Sequence, residues 1–399
     1  MSAELERTSC CVVGGGPAGA VLSLLLARNG VPVTLLEGHK DFDREFRGDT
    51  LHPSVMEIMD EIGLADGLLD LPHTKLHDLT LRTKEAAFKM VDFTRLKTRF
   101  PYITLMPQAK FLEFVTGQGR RYPHFRLLMG AQVRELIMEE GVSRGVRYWD
   151  ETGVERELRA LLTVAADGRF SRLRKLAGLE PVRSSPPMDV LWFRLPRSSG
   201  DTQSFGGRIG QGHMLAILPR EDHFQLGYLI LKGSYRALRE EGIEKFHASL
   251  VSLAPEFADR VSLLKSWSDL SILPVESSCL RKWYLPGLLL IGDAAHVMSP
   301  VGGVGINYAI QDAVVAANAL SVALRSGRVM EADLARVQRE RYWPTRFIQR
   351  FQAFIQERVI RTALDPNTSF APPALFRLPL LRRLPARIVG FGLRKVHVE

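Results

Sequence analysis

The chain has 399 residues, of which 46% are hydrophobic and 24% charged. That is enough for two or three packed domains and excludes a disordered or fibrous protein. The formal charge is +9, but Lys and Arg are spread along the chain and no aromatic-rich nucleic-acid motif appears, so no nucleic acid is expected as partner and the basic balance is read as suiting phosphate-bearing cofactors.

Three cysteines, Cys10, Cys11 and Cys279, show neither disulfide nor metal spacing, so no metal site is expected. A reducing cytoplasm fits them. Met1 to Ser9 carries Glu4 and Glu6, unlike a signal peptide. The apolar stretch that follows is broken by three glycines and a proline, so no transmembrane segment is expected.

Cys10 to Val13 reads as a strand. It runs into Gly14-Gly15-Gly16-Pro17-Ala18-Gly19, a G-x-G-x-x-G turn, and then into an Ala/Leu-rich helix from Ala20 to Arg28. Val31 to Leu36 is a second buried strand and ends at Glu37, 18 residues after Gly19. In such a unit Gly14 allows the tight turn, Gly16 lets the backbone approach a pyrophosphate, and Gly19 lets helix and strand pack closely. The helix start offers N–H groups to phosphate, and Glu37 is placed to accept from an adenosine ribose. The unit predicts dinucleotide binding without saying which dinucleotide.

Gly38 to Pro53, with Arg44, Arg47, Asp49 and His52, reads as a loop. Ser54 to Ile62 is a predicted helix, with Ser54 as N-cap and Gly63 as stop. Strand-like pieces fill Leu76 to Tyr102, and Gln108 to Gly117 is helical. Phe125 to Leu128, Ala131 to Glu139, Gly145 to Trp149 and Val154 to Ala166 form a meander that leads into Asp167-Gly168-Arg169-Phe170-Ser171-Arg172-Leu173-Arg174. Asp189 to Leu195 and Met214 to Leu231 read as strands of a different sheet, the latter pair turning at Pro219 to His223. Glu244 to Ser252 reads as helical. Gly287 to Ile291 is an apolar buried strand that ends in Gly292-Asp293-Ala294-Ala295-His296. Pro300, Gly302, Gly303, Gly305 and Asn307 follow, then a long helix from about Ile306 to Leu324. A further helix is predicted over Gln338 to Leu364, with Pro344 near its first turn. Its Phe347, Phe351, Phe354, Ile355 and Val359 face reads as core or as the interface of a homodimer. The basic, apolar tail from Pro372 to Glu399 is expected to pack on the body rather than on a membrane surface.

Three blocks, in this order, resemble the class A flavin-dependent monooxygenases, the para-hydroxybenzoate hydroxylase-like aromatic hydroxylases. They are Gly14-x-Gly16-x-x-Gly19 with Glu37, Asp167-Gly168-x-x-Ser171-x-x-Arg174, and Gly292-Asp293-Ala294-Ala295-His296 with Pro300. Arg47 and Gln108 resemble family residues of the flavin region. The resemblance implies FAD as cofactor and NAD(P)H as transient co-substrate. It implies that Gly14, Gly16, Pro17, Ala18, Gly19 and Glu37 hold the ADP half. Asp293, after Gly292, is implied to meet the ribityl or pyrophosphate portion. Asp167, Gly168 and Arg174 are implied to help hold FAD and to support nicotinamide cofactor binding. Gly303, Gly305, Ile306 and Asn307 are implied to lie at the isoalloxazine edge, and Pro300 to belong to the cofactor site. His296 is read as a structural hydrogen-bonder. The family's frequent Gly-Gln-Gly is Gly303-Val304-Gly305 in this chain, and Trp192-Phe193-Arg194 only faintly echoes the Trp-x-Trp of flavin halogenases.

The expected fold is α/β: a Rossmann-type FAD-binding domain from 1–75, 105–183 and 275–330, an inserted mixed β-sheet substrate domain from 76–104 and 184–274, and C-terminal helices over 331–399. The expected function is an FAD-dependent monooxygenase that uses NAD(P)H and O2 to hydroxylate an aromatic or polyketide-like small molecule through a flavin C4a-hydroperoxide. The rival readings are an FAD-dependent reductase of the geranylgeranyl-reductase type and a non-catalytic dinucleotide-binding sensor. His213, Tyr228 and His52 are the candidate substrate-side groups, and Met214, Ile217, Leu226 and Tyr228 the candidate walls.

Overall fold

The computed structural model describes residues 6–43, 49–198, 200–201, 206–210, 212–368, 370 and 383–399. Arg47 lies outside the described residues. Glu6–Val13 is the spine of an eight-stranded sheet. It pairs in parallel with Val33–Leu36 on one side and with Glu155–Ala165 on the other. Phe125–Leu128 and Leu288–Leu290 extend the parallel sheet outward on either side. Gln132–Glu139 and Val142–Trp149 add an antiparallel hairpin to Glu155–Ala165.

Alternation along the first strand sorts its side chains into two cores. Cys10 and Val12 join the core built with the helices Pro17–Arg28 and Gly305–Arg325, where Leu22, Leu25, Ile310 and Val314 are buried. Cys11 and Val13 join the opposite core, with Leu173, Cys279 and Trp283. Each fully buried Leu, Ile or Val contributes about 1.5–3 kcal/mol of transfer free energy. The glycine turn is therefore gripped between two well-packed layers.

A second, seven-stranded mixed sheet runs Ser271–Leu273, Met188–Pro196, His223–Leu231, His213–Pro219, Gly206–Gly210, Asp78–Arg82, Ala87–Asp92. Two distant stretches meet in it where Gly206–Gly210 pairs in parallel with Asp78–Arg82. The helix Ile243–Leu253 covers one face, burying Leu215, Ile217, Leu226 and Tyr228 against Phe246 and Leu250. Val190, Trp192, Met214 and Leu229 are on the other face. Ile217, Leu226 and Tyr228 therefore do not share a wall with Met214. Neighbouring strand residues point to opposite faces, so positions of different parity cannot line one pocket.

Three expectations for the helices change. The helix Pro53–Glu61 starts one residue earlier than predicted, with His52 rather than Ser54 at the N-cap. Pro53 takes the first helical position, where its missing N–H has no partner to lose. The helix expected from Gln338 is Glu331–Ile355, so Pro344 is buried in its interior. Asp333 fixes the true start by accepting from the Met330 N–H at 2.8 Å. Nor does this helix bury its phenylalanines. Phe347 and Phe351 are half-buried and Phe354 is exposed, while Arg341, Thr345, Ile348, Gln349 and Gln352 are buried. In the tail, the helix Arg383–Phe391 buries Ala386 and Phe391 against the body. No helix among the described residues is long and apolar enough to cross a membrane.

Candidate functional site

The glycine turn sits at the carboxyl end of the central strand, where open α/β sheets bind ligands. Gly14 has φ +104°, and a Cβ there would lie 2.4 Å from Ala166 O. A Cβ on Gly19 would lie 2.0 Å from Gly14 O. The fold itself therefore requires these two glycines. Gly16 is different: a Cβ there would meet nothing within 4 Å. The helix Pro17–Arg28 starts beside that open space with no side-chain cap, so the amides of its first turn, Ala18 and Gly19 among them, receive no side-chain acceptor. Glu37 closes the cradle. One carboxylate oxygen accepts from Gly15 N–H at 2.8 Å and the other from His39 N–H at 2.9 Å. His39 Nδ1 also lies 2.7 Å from that second oxygen, so a ribose hydroxyl would share a carboxylate the protein already engages. A bare backbone cradle, an uncapped helix start and a buried carboxylate fit the ADP portion of FAD.

The second block turns inward. Asp167 accepts from Ser171 Oγ and from the N–H groups of Arg172 (2.7 Å) and Leu173 (3.1 Å). Ser171 Oγ caps the same short helix by accepting from Arg174 N–H at 3.0 Å. Burial raises the Asp167 carboxyl above its ordinary range, against those hydrogen bonds. Arg174 reaches across to the third block and donates to Ala294 O at 2.9 Å and to Arg169 O at 2.6 Å. The Asp167 and Arg174 side chains thus brace the two loops against each other, and Gly168 supplies the φ of +79° at the turn.

Asp293 is half-buried between buried neighbours at the end of Leu288–Leu290. Gly292, which precedes it, has φ +58° and donates its N–H to Asp312 Oδ2 at 3.0 Å. Asp312 is fully buried and also accepts from His296 Nε2 (2.6 Å) and Arg341 Nε (2.7 Å). Burial alone would raise its carboxyl, but the His296 and Arg341 charges hold it below the usual carboxylate range. Sequence reading anticipated His296 as a structural group and missed both Asp312 and Arg341.

The chain from His296 to Gly305 is sewn down by three glutamines of the Glu331–Ile355 helix and its continuation. Gln349 Nε2 donates to Ser278 O (2.8 Å) and Val297 O (3.1 Å). Gln352 Nε2 donates to Ser299 O (2.8 Å) and Val301 O (2.7 Å). Gln356 Nε2 bonds to Ser299 Oγ. This explains why the helix buries amides rather than phenylalanines: the surface beneath it is a row of backbone carbonyls that need donors. On the other side of the loop, Thr50 Oγ1 donates to Gly303 O at 2.9 Å, and a Cβ on Gly303 would strike that hydroxyl at 2.5 Å. Asn307 donates to Thr50 O and Gly303 O at 3.0 Å each and accepts from His52 N–H at 2.7 Å. Its amide is taken up by the protein. The start of the helix Gly305–Arg325, with Gly305 and Ile306 in its first turn, carries no side-chain cap.

Val301, just after Pro300, packs against the buried cluster of Met188, Val190, Leu229, Val275, Ile360 and Leu364, to which Trp192 and Met214 of the second sheet also attach, so the loop and the inner face of that sheet share one apolar cluster. Trp192 Nε1 is buried there with no hydrogen-bond partner among the described residues. At the Pro219–His223 turn, buried Arg220 donates from Nη2 to Asp49 Oδ2 and to Gln225 Oε1 (2.8 Å), and Asp49 Oδ1 accepts from Gln108 N–H at 3.3 Å. Burial pushes the Asp49 carboxyl up and the Arg220 guanidinium down, each opposed by the other's charge. Arg220 Nη1 is buried without a partner among the described residues. The second sheet is thus latched at Gln108 by a residue that sequence reading passed over.

None of the three substrate-side candidates faces this junction. Tyr228 Oη lies 2.7 Å from both His213 Nδ1 and Ser249 Oγ, under the helix Ile243–Leu253 on the far face of the sheet. His52 is fully buried, with Nδ1 2.7 Å from Val389 O of the C-terminal helix. Burial lowers its pKa from 6.5 to about 4. A histidine with a depressed folded pKa contributes stability that is complete above about pH 6.5 and is lost as pH falls toward 4. That shift corresponds to about 3 kcal/mol. Urea unfolding of the protein and of His52→Gln across this window should show the wild-type slope flattened in the variant. Parallel curves would refute the assignment.

Over residues 7–344 the chain matches the FAD binding domain family. It is 35% identical to 6-methylpretetramide 4-monooxygenase of Streptomyces rimosus, an alignment covering 100% of this chain and 95% of that protein. Squalene monooxygenase of Rattus norvegicus is 24% identical over 75% of this chain and 52% of its own length. Among solved structures, Pseudomonas aeruginosa PqsL in complex with 2-aminobenzoylacetate superposes with a TM-score of 0.77 at 22% identity, covering 90% of this chain and 98% of that one. OxyS anhydrotetracycline hydroxylase from Streptomyces rimosus gives 0.74 at 23% identity, covering 96% and 76%. These two likenesses show the shared fold. The match along its whole length favours oxygen insertion over double-bond reduction or dinucleotide sensing, and the chain belongs to the FAD binding domain family as an FAD-dependent monooxygenase.

Proposed function

We propose that the enzyme places one hydroxyl group on a phenolic, fused-ring polyketide, at the junction between the 299–305 loop and the inner face of the second sheet. The observation that carries this is the end-to-end similarity to a protein named for 4-monooxygenation of 6-methylpretetramide. In balance, a substrate C–H, O2, NAD(P)H and a proton become C–OH, water and NAD(P)+. FAD, when bound, supplies hydride acceptance and oxygen activation, which no side chain of this chain can supply.

The protein's share is binding, orientation and dryness. Gly14, Gly16, Gly19 and the helix start after Pro17 would hold the pyrophosphate, and Glu37 the ribose. Asp293, with Gly292 fixed by Asp312, would hold the middle of the cofactor, while Gln108, Pro300, Gly303, Gly305 and Ile306 would flank the flavin. Asp167, Gly168, Arg174 and Asn307 would act by holding those loops in place. Arg47 remains in the proposed set on resemblance alone. Met214, Leu229 and Val301 would keep water from the reacting atoms. Trp192 Nε1 would donate to a substrate oxygen and orient the ring. Cytoplasmic operation goes with this reading, and the three buried free cysteines support it.

The test is turnover under 18O2 with NADPH or NADH, offering a tetracyclic phenolic polyketide beside single-ring phenols. One 18O atom should enter the polyketide. NAD(P)H oxidation that yields only hydrogen peroxide with every phenol would sink the proposal. In the same assay Trp192→Phe should raise the substrate KM by roughly 5- to 30-fold, the worth of about 1–2 kcal/mol for one donor.

A further inference from the structure

Away from the glycine cradle, the strands Pro181–Ser184 and Ser277–Leu280 and the helix Glu331–Ile355 border a half-open cavity of about 210 Å³. Arg183, Arg346 and Arg350 line it, together with Ser277, Ser299 and Gln352, and no acidic side chain does. None of the three arginines has a carboxylate partner among the described residues; Arg346 donates to the Gln349 side-chain amide at 3.1 Å. Guanidinium groups stay protonated at any working pH. Three of them around one small cavity repel each other until an anion enters.

Gln352 specifies more than charge. Its Nε2 donates to Ser299 O and Val301 O, which fixes the orientation of the amide. Its Oε1 is left buried and unpartnered among the described residues, on a side chain only 2% exposed. A buried acceptor without a donor is costly, and a small turn of this amide toward the cavity would give it an O–H or N–H beside the anionic group of a ligand held by the arginines. A phosphorylated ribose has both: phosphate oxygens suited to bidentate arginine pairing, and a neighbouring hydroxyl for Gln352. The cavity is smaller than the ~300–1,000 Å³ of sites that enclose whole drug-sized ligands, as suits one end of a longer molecule. Ser299 belongs both to this cavity and to the loop that flanks the flavin site.

We propose that this cavity holds the ribose 2′-phosphate of NADPH and so selects NADPH over NADH. The inference rests on the reading that a nicotinamide cofactor supplies the electrons. Its test is a calorimetric titration of the FAD-loaded protein with 2′,5′-ADP, 5′-AMP and inorganic phosphate. The comparison variant is Arg183→Gln/Arg350→Gln. Both residues are exposed, and surface replacements of this kind leave a fold intact; equal FAD absorbance per protein checks this.

The parent should bind 2′,5′-ADP at least ~10-fold more tightly than 5′-AMP, and the double variant should lose about that factor for 2′,5′-ADP alone. In turnover the KM for NADPH should rise similarly while that for NADH stays put. Equal 2′,5′-ADP affinity in parent and variant would overturn the proposal. So would inorganic phosphate binding as tightly as 2′,5′-ADP, which would make the cavity a simple anion site. The titration needs no turnover. A protein that binds 2′,5′-ADP at these arginines yet inserts no oxygen would therefore sink the proposed reaction and leave this site standing.

Discussion

Gly16→Val yields a folded protein that no longer retains FAD. Gly16 has φ −69° and ψ −178°, which a β-branched residue adopts without strain. A Cβ there would have nothing within 4 Å, so the added side chain has room without displacing the turn. What it fills is the cradle in front of the uncapped helix start. The FAD dissociation constant should rise by at least about 100-fold, some 2.7 kcal/mol, while the unfolding free energy of the apoprotein changes by about 0.5 kcal/mol or less. Gly19→Ala is the contrasting control. Its new methyl would sit 2.0 Å from Gly14 O, so strand and helix must separate and the apoprotein itself should lose stability. Visible absorbance per protein, with urea unfolding of both apoproteins, separates the two effects. Wild-type yellow colour in Gly16→Val would remove the pyrophosphate from this turn.

Asp312→Ala should be the most destabilising single change near the site. The carboxylate is fully buried, neutralises Arg341, and accepts from His296 Nε2 and the Gly292 N–H. Removing it leaves a guanidinium that is 1% exposed with no counter-charge. Breaking such a buried pair from one side costs about 3–5 kcal/mol. Gly292 is also released, so FAD content should fall in whatever fraction folds. Asp312→Asn keeps an acceptor for Gly292 and should retain more FAD than Asp312→Ala at similarly reduced stability. A loss below about 1 kcal/mol in Asp312→Ala would mean that the network adds little.

The N-terminal unit was legible because local constraints determine it. A strand must be apolar, the turn admits only glycine at Gly14 and Gly19, and the helix follows at once. The carboxyl-end position of Asp293 was legible for the same reason. Faces of the inserted sheet were not. Met214 and Tyr228 look alike as wall residues until pairing shows which face the helix Ile243–Leu253 covers. His52 looked like a loop group near substrate, whereas its ring partner is Val389, far along the chain. The Glu331–Ile355 helix misled most, since an apolar stripe ordinarily marks the buried face. Gln349 and Gln352 win that face because open carbonyls demand donors more strongly than the phenylalanines demand burial. Arg220 and Asp49 were individually unremarkable polar residues whose meaning lies in their meeting.

The order of strands in the main sheet sets a timetable for synthesis. Glu6–Val13 gains one parallel neighbour, Val33–Leu36, at once, yet its other ends only at Ala165, and the next strand outward on that side is Leu288–Leu290. The helix that packs across Pro17–Arg28 ends only at Arg325. At about 5–20 residues per second, a ribosome needs roughly 15–60 s to go from the end of Glu6–Val13 to the end of that helix. For that interval the glycine turn has no opposing layer and the sheet shows an open parallel edge, a template for wrong pairing. Cofactor capture therefore waits until the helix Gly305–Arg325 has been made. Until then the exposed edge is where wrong pairing can compete with the native sheet.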